Sequence, residues 1–324
     1  MNTGVRIGVF AAALAATFGT AYGVGVGVGP VGAPAAAGHA AHAAPAGGGA
    51  AGHAEHEKPG KGPAAGGLQV SEGGYTLSLE SPRRTSGQGE LRFSVKDAAG
   101  RPVTAFKTEH GKELHFIVAS RDLTVYRHLH PVRAADGTWS TPVDLPAAGA
   151  YKAFADFTPA AEGAGGVTLG ADLSVAGAYT PEALPPAERT AEVDGYRVAL
   201  AGDLDPGKAG ELRLTVSKDG RPVTDLEPYL GAYGHLVALR DGDLAYLHVH
   251  PNEGGPGPDV SFTATAPSSG TYRLFLDFQH QGKVRTAAFT VRAGAAPASP
   301  AEPPASPAAP AAPAAPEQSD GHSH

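Results

Sequence analysis

Neutral imidazole is a strong ligand for borderline divalent metals, and this chain places six imidazoles in two matching sets. His115, His128 and His130 recur with the same spacing as His235, His248 and His250. Across His115–Pro131 and His235–Pro251 only 5 of 17 positions are identical: the three His, one Tyr and the Pro. The positions that drifted are ordinary β-core ones. A carboxylate stands at the same place in a second matched segment, Asp156 in AFADF and Asp277 in LFLDF, and His280 follows Asp277 in the second copy only. Three imidazoles plus one carboxylate form a donor set suited to copper(II) or zinc(II) rather than copper(I). The other reading of the same residues is a polar cluster in which the His and the nearby Tyr126 and Tyr246 satisfy one another.

The elements around the trios read as strands. GELRLTV (Gly210–Val216) and YRLFLDF (Tyr272–Phe278) alternate with period two, and turn signals such as SKDGRP and PSSGTY recur. In the second copy Asp241-Gly242 suits a two-residue hairpin turn. That turn sets His235 across from His248, Val237 from Tyr246 and Leu239 from Leu244. The same register in the first copy sets His115 across from His128, around the poorer turn pair Arg121-Asp122. His130 and His250 then share the face of the preceding His, two residues on. A three-residue loop with a bulge would shift this register by one.

These matched segments belong to a duplication. GELRFSVKDAAGRPVTAF (Gly89–Phe106) pairs with GELRLTVSKDGRPVTDL (Gly210–Leu226), and GAYKAFADF (Gly149–Phe157) with GTYRLFLDF (Gly270–Phe278). The sequence divides into an apolar segment at 1–29, an Ala/Gly/Pro linker at 30–67, one repeat at 68–176, a short linker at 177–189, a second repeat at 190–292 and a Pro/Ala-rich tail at 293–324. The fold class expected is all-β: two tandem immunoglobulin-like or cupredoxin-like β-sandwiches after one N-terminal membrane helix, with disordered tails. The run Ile7–Gly29 carries no charge and is long enough to cross a bilayer, or to serve as a signal peptide. Either reading puts the repeats outside the cytoplasm, at the cell membrane or secreted. His39, His42, His53, His56, His322 and His324 lie in the low-complexity segments, where they suit weak capture of divalent metal.

Composition narrows the chemistry. Among 324 residues there is no Cys, and the single Met is Met1. That excludes disulfides, thiolate metal sites and thioether ligands. With 25 basic against 32 acidic residues no cationic stripe exists to neutralise a phosphate backbone, so a nucleic-acid partner is not expected. No strained Gly-x-Ser-x-Gly turn and no paired catalytic carboxylates are recognisable, so the chain is not read as an enzyme.

The pattern His-(Phe/Leu)-x-Val followed by His-x-His-Pro, with the turn strands DGTW, LPAAGAY and AFADF, resembles a group of actinobacterial exported proteins. More distantly it is similar to the YtkA-like and CopC-like extracytoplasmic metal-tolerance domains. The second copy departs from the first in Arg240-Asp241-Gly242-Asp243-Leu244. The resemblance implies sequestration or delivery of copper or zinc, with a metal-transporting membrane protein as a partner. Two trios predict about two ions per chain. The alternative is a non-enzymatic adhesion or scaffold protein whose His clusters are structural.

Overall fold

The computed structural model describes residues 65–247 and 249–294, and all of them are strand, turn or loop. The segments expected as a membrane helix at 1–29, as most of the linker at 30–67 and as nearly all of the tail at 293–324 lie outside the described residues. Among the described residues no helix is long and apolar enough to cross a membrane.

The first repeat contributes β1 (Ser71–Glu72), β2 (Tyr75–Leu79), β3 (Arg83–Thr85), β4 (Gly87–Lys96), β5 (His115–Ser120), β6 (Tyr126–Leu129), β7 (Val132–Arg133), β8 (Thr138–Leu145), β9 (Gly149–Phe157) and β10 (Val167–Ala176). The second contributes β11 (Thr190–Val193), β12 (Tyr196–Ala201), β13 (Ala209–Lys218), β14 (Arg221–Pro222), β15 (His235–Arg240), β16 (Tyr246–Leu247), β17 (Val249–Pro251), β18 (Asp259–Thr265), β19 (Gly270–His280) and β20 (Lys283–Ala293). Each repeat is two sheets packed on a core. In the first the sheets run β1-β2-β4-β8-β7 and β3-β10-β9-β5-β6; in the second they run β11-β12-β13-β18-β17, with β14 on β13, and β16-β15-β19-β20. The described residues are therefore all-β with an internal repeat, and their strand pairs are antiparallel apart from β3 on β10.

The four central strands are buried on both faces. In β5, Phe116 and Val118 point into the core of their own repeat, while Ile117 and Ala119 join a separate apolar cluster. In β15, Leu236 and Ala238 point inward, and Val237 and Leu239 join that same separate cluster. Phe154 of β9 and Phe275 of β19 complete it together with Leu123, Tyr126, Leu244 and Tyr246. This third core lies between the repeats, whose β5-bearing and β15-bearing sheets meet face to face. The contact is reciprocal: Tyr126 stacks on Phe275 with ring centroids 4.0 Å apart, and Tyr246 meets Phe154 at 5.7 Å. HFIVAS and HLVALR accordingly read as continuous apolar runs, as strands covered on both sides must. YRLFLDF, expected to alternate, is buried at five consecutive positions, Leu274 to Phe278.

The N-terminal end of the described chain is threaded through this contact. Gly66 exchanges backbone hydrogen bonds with Tyr246, and the Gly67 amide donates to Thr168. A Cβ on Gly170 would sit 1.9 Å from the Gly67 carbonyl oxygen, so only glycine fits at that crossing.

Both hairpins differ in register from the expectation. Leu239 pairs with Tyr246 and Ala238 with Leu247, while Ile117 pairs with His128 and Ala119 with Tyr126. The loops hold four residues rather than two, because a leucine from each loop, Leu123 or Leu244, turns down into the inter-repeat core at positive φ. Burying that side chain outweighs the turn preference of Asp241-Gly242. In the first copy Ser120 Oγ accepts from the Thr124 and Val125 amides and donates to Asp122, bracing the wider loop. The shift is two residues, so every side chain keeps its face.

Because Phe275 is 3% exposed and stacked across the inter-repeat core, Phe275→Ala should lower stability by roughly 3–5 kcal/mol. A urea titration followed by tryptophan fluorescence measures it, as a lower midpoint with an unchanged slope.

Candidate metal centre

Strand parity decides which polar groups meet. His115 shares the face of Ile117, His128 the face of Tyr126, Asp156 the face of Phe154, His235 the face of Val237 and Asp277 the face of Phe275. All five therefore lie on the face that each repeat presents to the other, at one end of the apolar cluster. His130 follows β6 where the chain leaves one sheet of its repeat and crosses to β7 in the other. Pro131, which has no amide proton to donate, stands at that crossing.

The first trio converges. One ring nitrogen from each of His115, His128 and His130 lies within 4.8 Å of the other two. His115 Nδ1 faces His128 Nε2 at 3.1 Å. The ring centroids are 5.4 Å apart for His115–His128, 5.5 Å for His115–His130 and 4.7 Å for His128–His130.

The outward nitrogens fix the tautomers. His115 Nε2 lies 3.4 Å from the Glu109 carbonyl oxygen, which can only accept, so Nε2 carries the proton. His128 Nδ1 donates to the Asp277 carboxylate at 2.8 Å, a contact made between repeats. In neutral rings the facing pair, His115 Nδ1 and His128 Nε2, then presents two lone pairs to each other. A proton between them would relieve this repulsion, but burial together with the neighbouring His128 and His235 pushes His115 down to about 3. Burial and the neighbouring His128 hold His130 at about 3 as well. The Tyr229 hydroxyl lies 3.3 Å from His130 Nδ1, and His130 Nε2 is buried with no hydrogen-bond partner.

Asp277 was expected as a ligand in its own repeat. It instead accepts from His128 of the other repeat and from the Thr286 hydroxyl. The carboxylate is buried, and among the described residues no Lys or Arg pairs with it. Asp156 lies directly across from His115 in the β5–β9 ladder and accepts from the Thr168 hydroxyl at 2.9 Å. His280 does not join the cluster. Three positions past Asp277, it lies on the opposite face of β19, where the Tyr196 hydroxyl and Asp225 engage its two nitrogens at 2.7 and 3.1 Å. His235 sits close to the first trio, its ring 6.1 Å from those of both His115 and His128. His248 lies outside the described residues, and for His250 only the strand position is described.

Two contributors had been passed over in the sequence. His110 and Gly111 form a two-residue turn with φ of 50° and 72°, closed by reciprocal Glu109–Lys112 backbone bonds. This turn brings the His110 ring to 5.6 Å from His235. Leu230 and Gly231 repeat the turn in the second copy with φ of 54° and 78°, and it presents the Tyr229 carbonyl to His235 Nε2 at 2.7 Å. The legible signal was the matched glycine four residues before each leading His, Gly111 before His115 and Gly231 before His235. A cavity of about 460 Å³ reaches the cluster from solvent, lined by Glu109, His110, His115, His128, Asp156 and His235 among others.

The depressed His115 and His130 values make stability depend on pH. Their folded values of about 3 lie below the ordinary 6.5, so the unfolded chain takes up protons first as pH falls. Stability from this source is complete above about pH 6.5 and is lost as pH falls from there toward 3. Urea midpoints at pH 7.5 and 4.5 should differ, with the lower midpoint at pH 4.5, and the difference should shrink in His115→Gln.

A family model described as "Domain of unknown function (DUF8832)" matches the chain twice, over residues 69–165 and 191–295. No curated protein matches it. Among solved structures, a DUF4426 family protein from Pseudomonas aeruginosa matches with 11% identity over 33% of this chain and 94% of its own, at a TM-score of 0.24. InvD of Yersinia pseudotuberculosis matches with 14% identity over 72% of this chain and 62% of its own, at 0.23. Invasin, a bacterial integrin-binding protein, matches with 13% identity over 69% of this chain and 41% of its own, at 0.20. Scores at this level carry no functional weight. The two matched segments together span more than half of the sequence and coincide with its two repeats, and the chain belongs to the DUF8832 family.

Proposed function

We propose that this chain binds a divalent transition metal, zinc(II) or copper(II), through His115, His128 and His130. The observation that carries this reading is the set of three converging ring nitrogens whose outer nitrogens face a carbonyl, a carboxylate and a phenol. Metal-ligating histidines characteristically have such outer partners, which orient the ring and raise its basicity. Two imidazole nitrogens on a tetrahedral ion with bonds of ~2.0–2.1 Å stand about 3.3 Å apart. His115 Nδ1 and His128 Nε2 stand at 3.1 Å. A cation also relieves the lone-pair repulsion of that pair and compensates the buried Asp277 carboxylate through His128.

The physiological role we infer is sequestration or delivery of the ion outside the cytoplasm, with the protein anchored to the cell membrane or secreted and a metal-transporting membrane protein as recipient. The role is one of binding rather than catalysis. We further infer that each repeat is immunoglobulin-like. Tyr151 donates its hydroxyl proton to the Ala147 carbonyl and Tyr272 to the Ser268 carbonyl, near the start of corresponding strands. A tyrosine bonded back to the backbone a few residues upstream is a device of that fold.

Calorimetric titration of the full chain with Zn(II) and Cu(II) should show uptake, and a ligand at 100 times its dissociation constant should stabilise the fold by ~2.7 kcal/mol. His128→Ala should abolish most of the affinity. Asp277→Asn should weaken it about 10–100-fold while leaving all three ligands in place. No heat and an unchanged melting temperature in the wild-type chain would refute the proposal.

A further inference from the structure

We infer that His235, from the second repeat, is the fourth ligand to the first repeat's trio, so that one ion joins the two repeats. This rests on the metal-binding reading above and departs from the expectation that His235 serves a separate trio of its own.

His235 lies on the inter-repeat face, 8% exposed, and lines the same cavity as His115 and His128. Its Nε2 donates to the Tyr229 carbonyl, as His115 Nε2 does to the Glu109 carbonyl. The two rings therefore have the same tautomer, and each keeps Nδ1 as its lone-pair nitrogen. In His115 that nitrogen is the one turned toward the trio. The His235 ring is 6.1 Å from the rings of His115 and His128, against 4.7–5.5 Å within the trio. Imidazoles on a tetrahedral ion have centroids about 5 Å apart, so His235 stands about 1 Å too far from His115 and His128, and it must close on the trio for its nitrogen to join the three that already lie within 4.8 Å of one another. Its cross-strand neighbour Asp277 already reaches His128. The second repeat thus supplies one ligand and two orienting groups, the Asp277 carboxylate on His128 and the Tyr229 phenol on His130. Four imidazoles close the coordination sphere, which suits holding an ion rather than activating water.

Cobalt(II), loaded into the full-length chain in place of zinc, separates the possibilities by its visible spectrum. A four-imidazole centre has no bound water to ionise, so the wild-type spectrum should be intense and constant from pH 6 to 9. His235→Gln should bind cobalt about 10–100-fold more weakly, and water in the vacated position should make its spectrum change with pH. A wild-type spectrum that already titrates overturns the inference and leaves the three-His reading standing, and this result needs no variant to fold. So does a His235→Gln chain that loses one of two bound ions while the remaining spectrum is unchanged. A wild-type chain that takes up no cobalt overturns both.

Discussion

The structure depends on one contact, the face-to-face docking of the β5-bearing sheet of one repeat on the β15-bearing sheet of the other. Each sheet already covers its own core, so docking buries the central strands on both sides. Ile117, Ala119, Val237 and Leu239 would otherwise be an exposed apolar stripe on a solvated sheet. The reciprocal stacking of Tyr126 on Phe275 and Tyr246 against Phe154 makes the contact self-complementary, as expected of a duplicated unit meeting its own copy.

Docking also creates a demand for hydrogen-bond partners. Polar side chains on these faces lose water when the sheets meet, and each must find a partner or remain at a cost. His128 and Asp277 find each other across the boundary, and the Thr286 hydroxyl takes the second carboxylate oxygen. The Tyr126 hydroxyl finds no partner, and its burial beside Asp277 pushes the phenol well above its ordinary value. His115 and His128 settle their outer nitrogens at the expense of the inner pair. In the proposed function this residual conflict is what an ion resolves: burial holds His115 and His130 neutral, and the outer hydrogen bonds turn the rings inward.

His280 illustrates how little separates a member of such a cluster from a bystander. It follows Asp277 by three residues, an odd number, and a strand sends odd-spaced side chains to opposite faces. Its ring therefore enters the second repeat's own core, beside Tyr196 and Phe278, and meets Tyr196 and Asp225 there.

The amino-acid pattern alone carried the β class of the repeats, the duplication and the strand parity that sets His115 and His128 on one face, because these follow from period-two patterning and from matched spacing within one chain segment; the meeting of the three rings came with a register two residues from the expected one and with the sheet crossing that starts at His130. The same pattern also carried the matched glycines of the two tight turns. The hairpin register did not follow from local turn preference, because Leu123 and Leu244 are drawn into a core that exists only once the repeats have met. Docking alone brings Asp277 to His128, His235 toward the other repeat's trio and His110 to 5.6 Å from His235. Those contacts join residues more than a hundred positions apart through a docking surface. Local periodicity reports which side of a strand is apolar, and it is silent on which second sheet will cover that side.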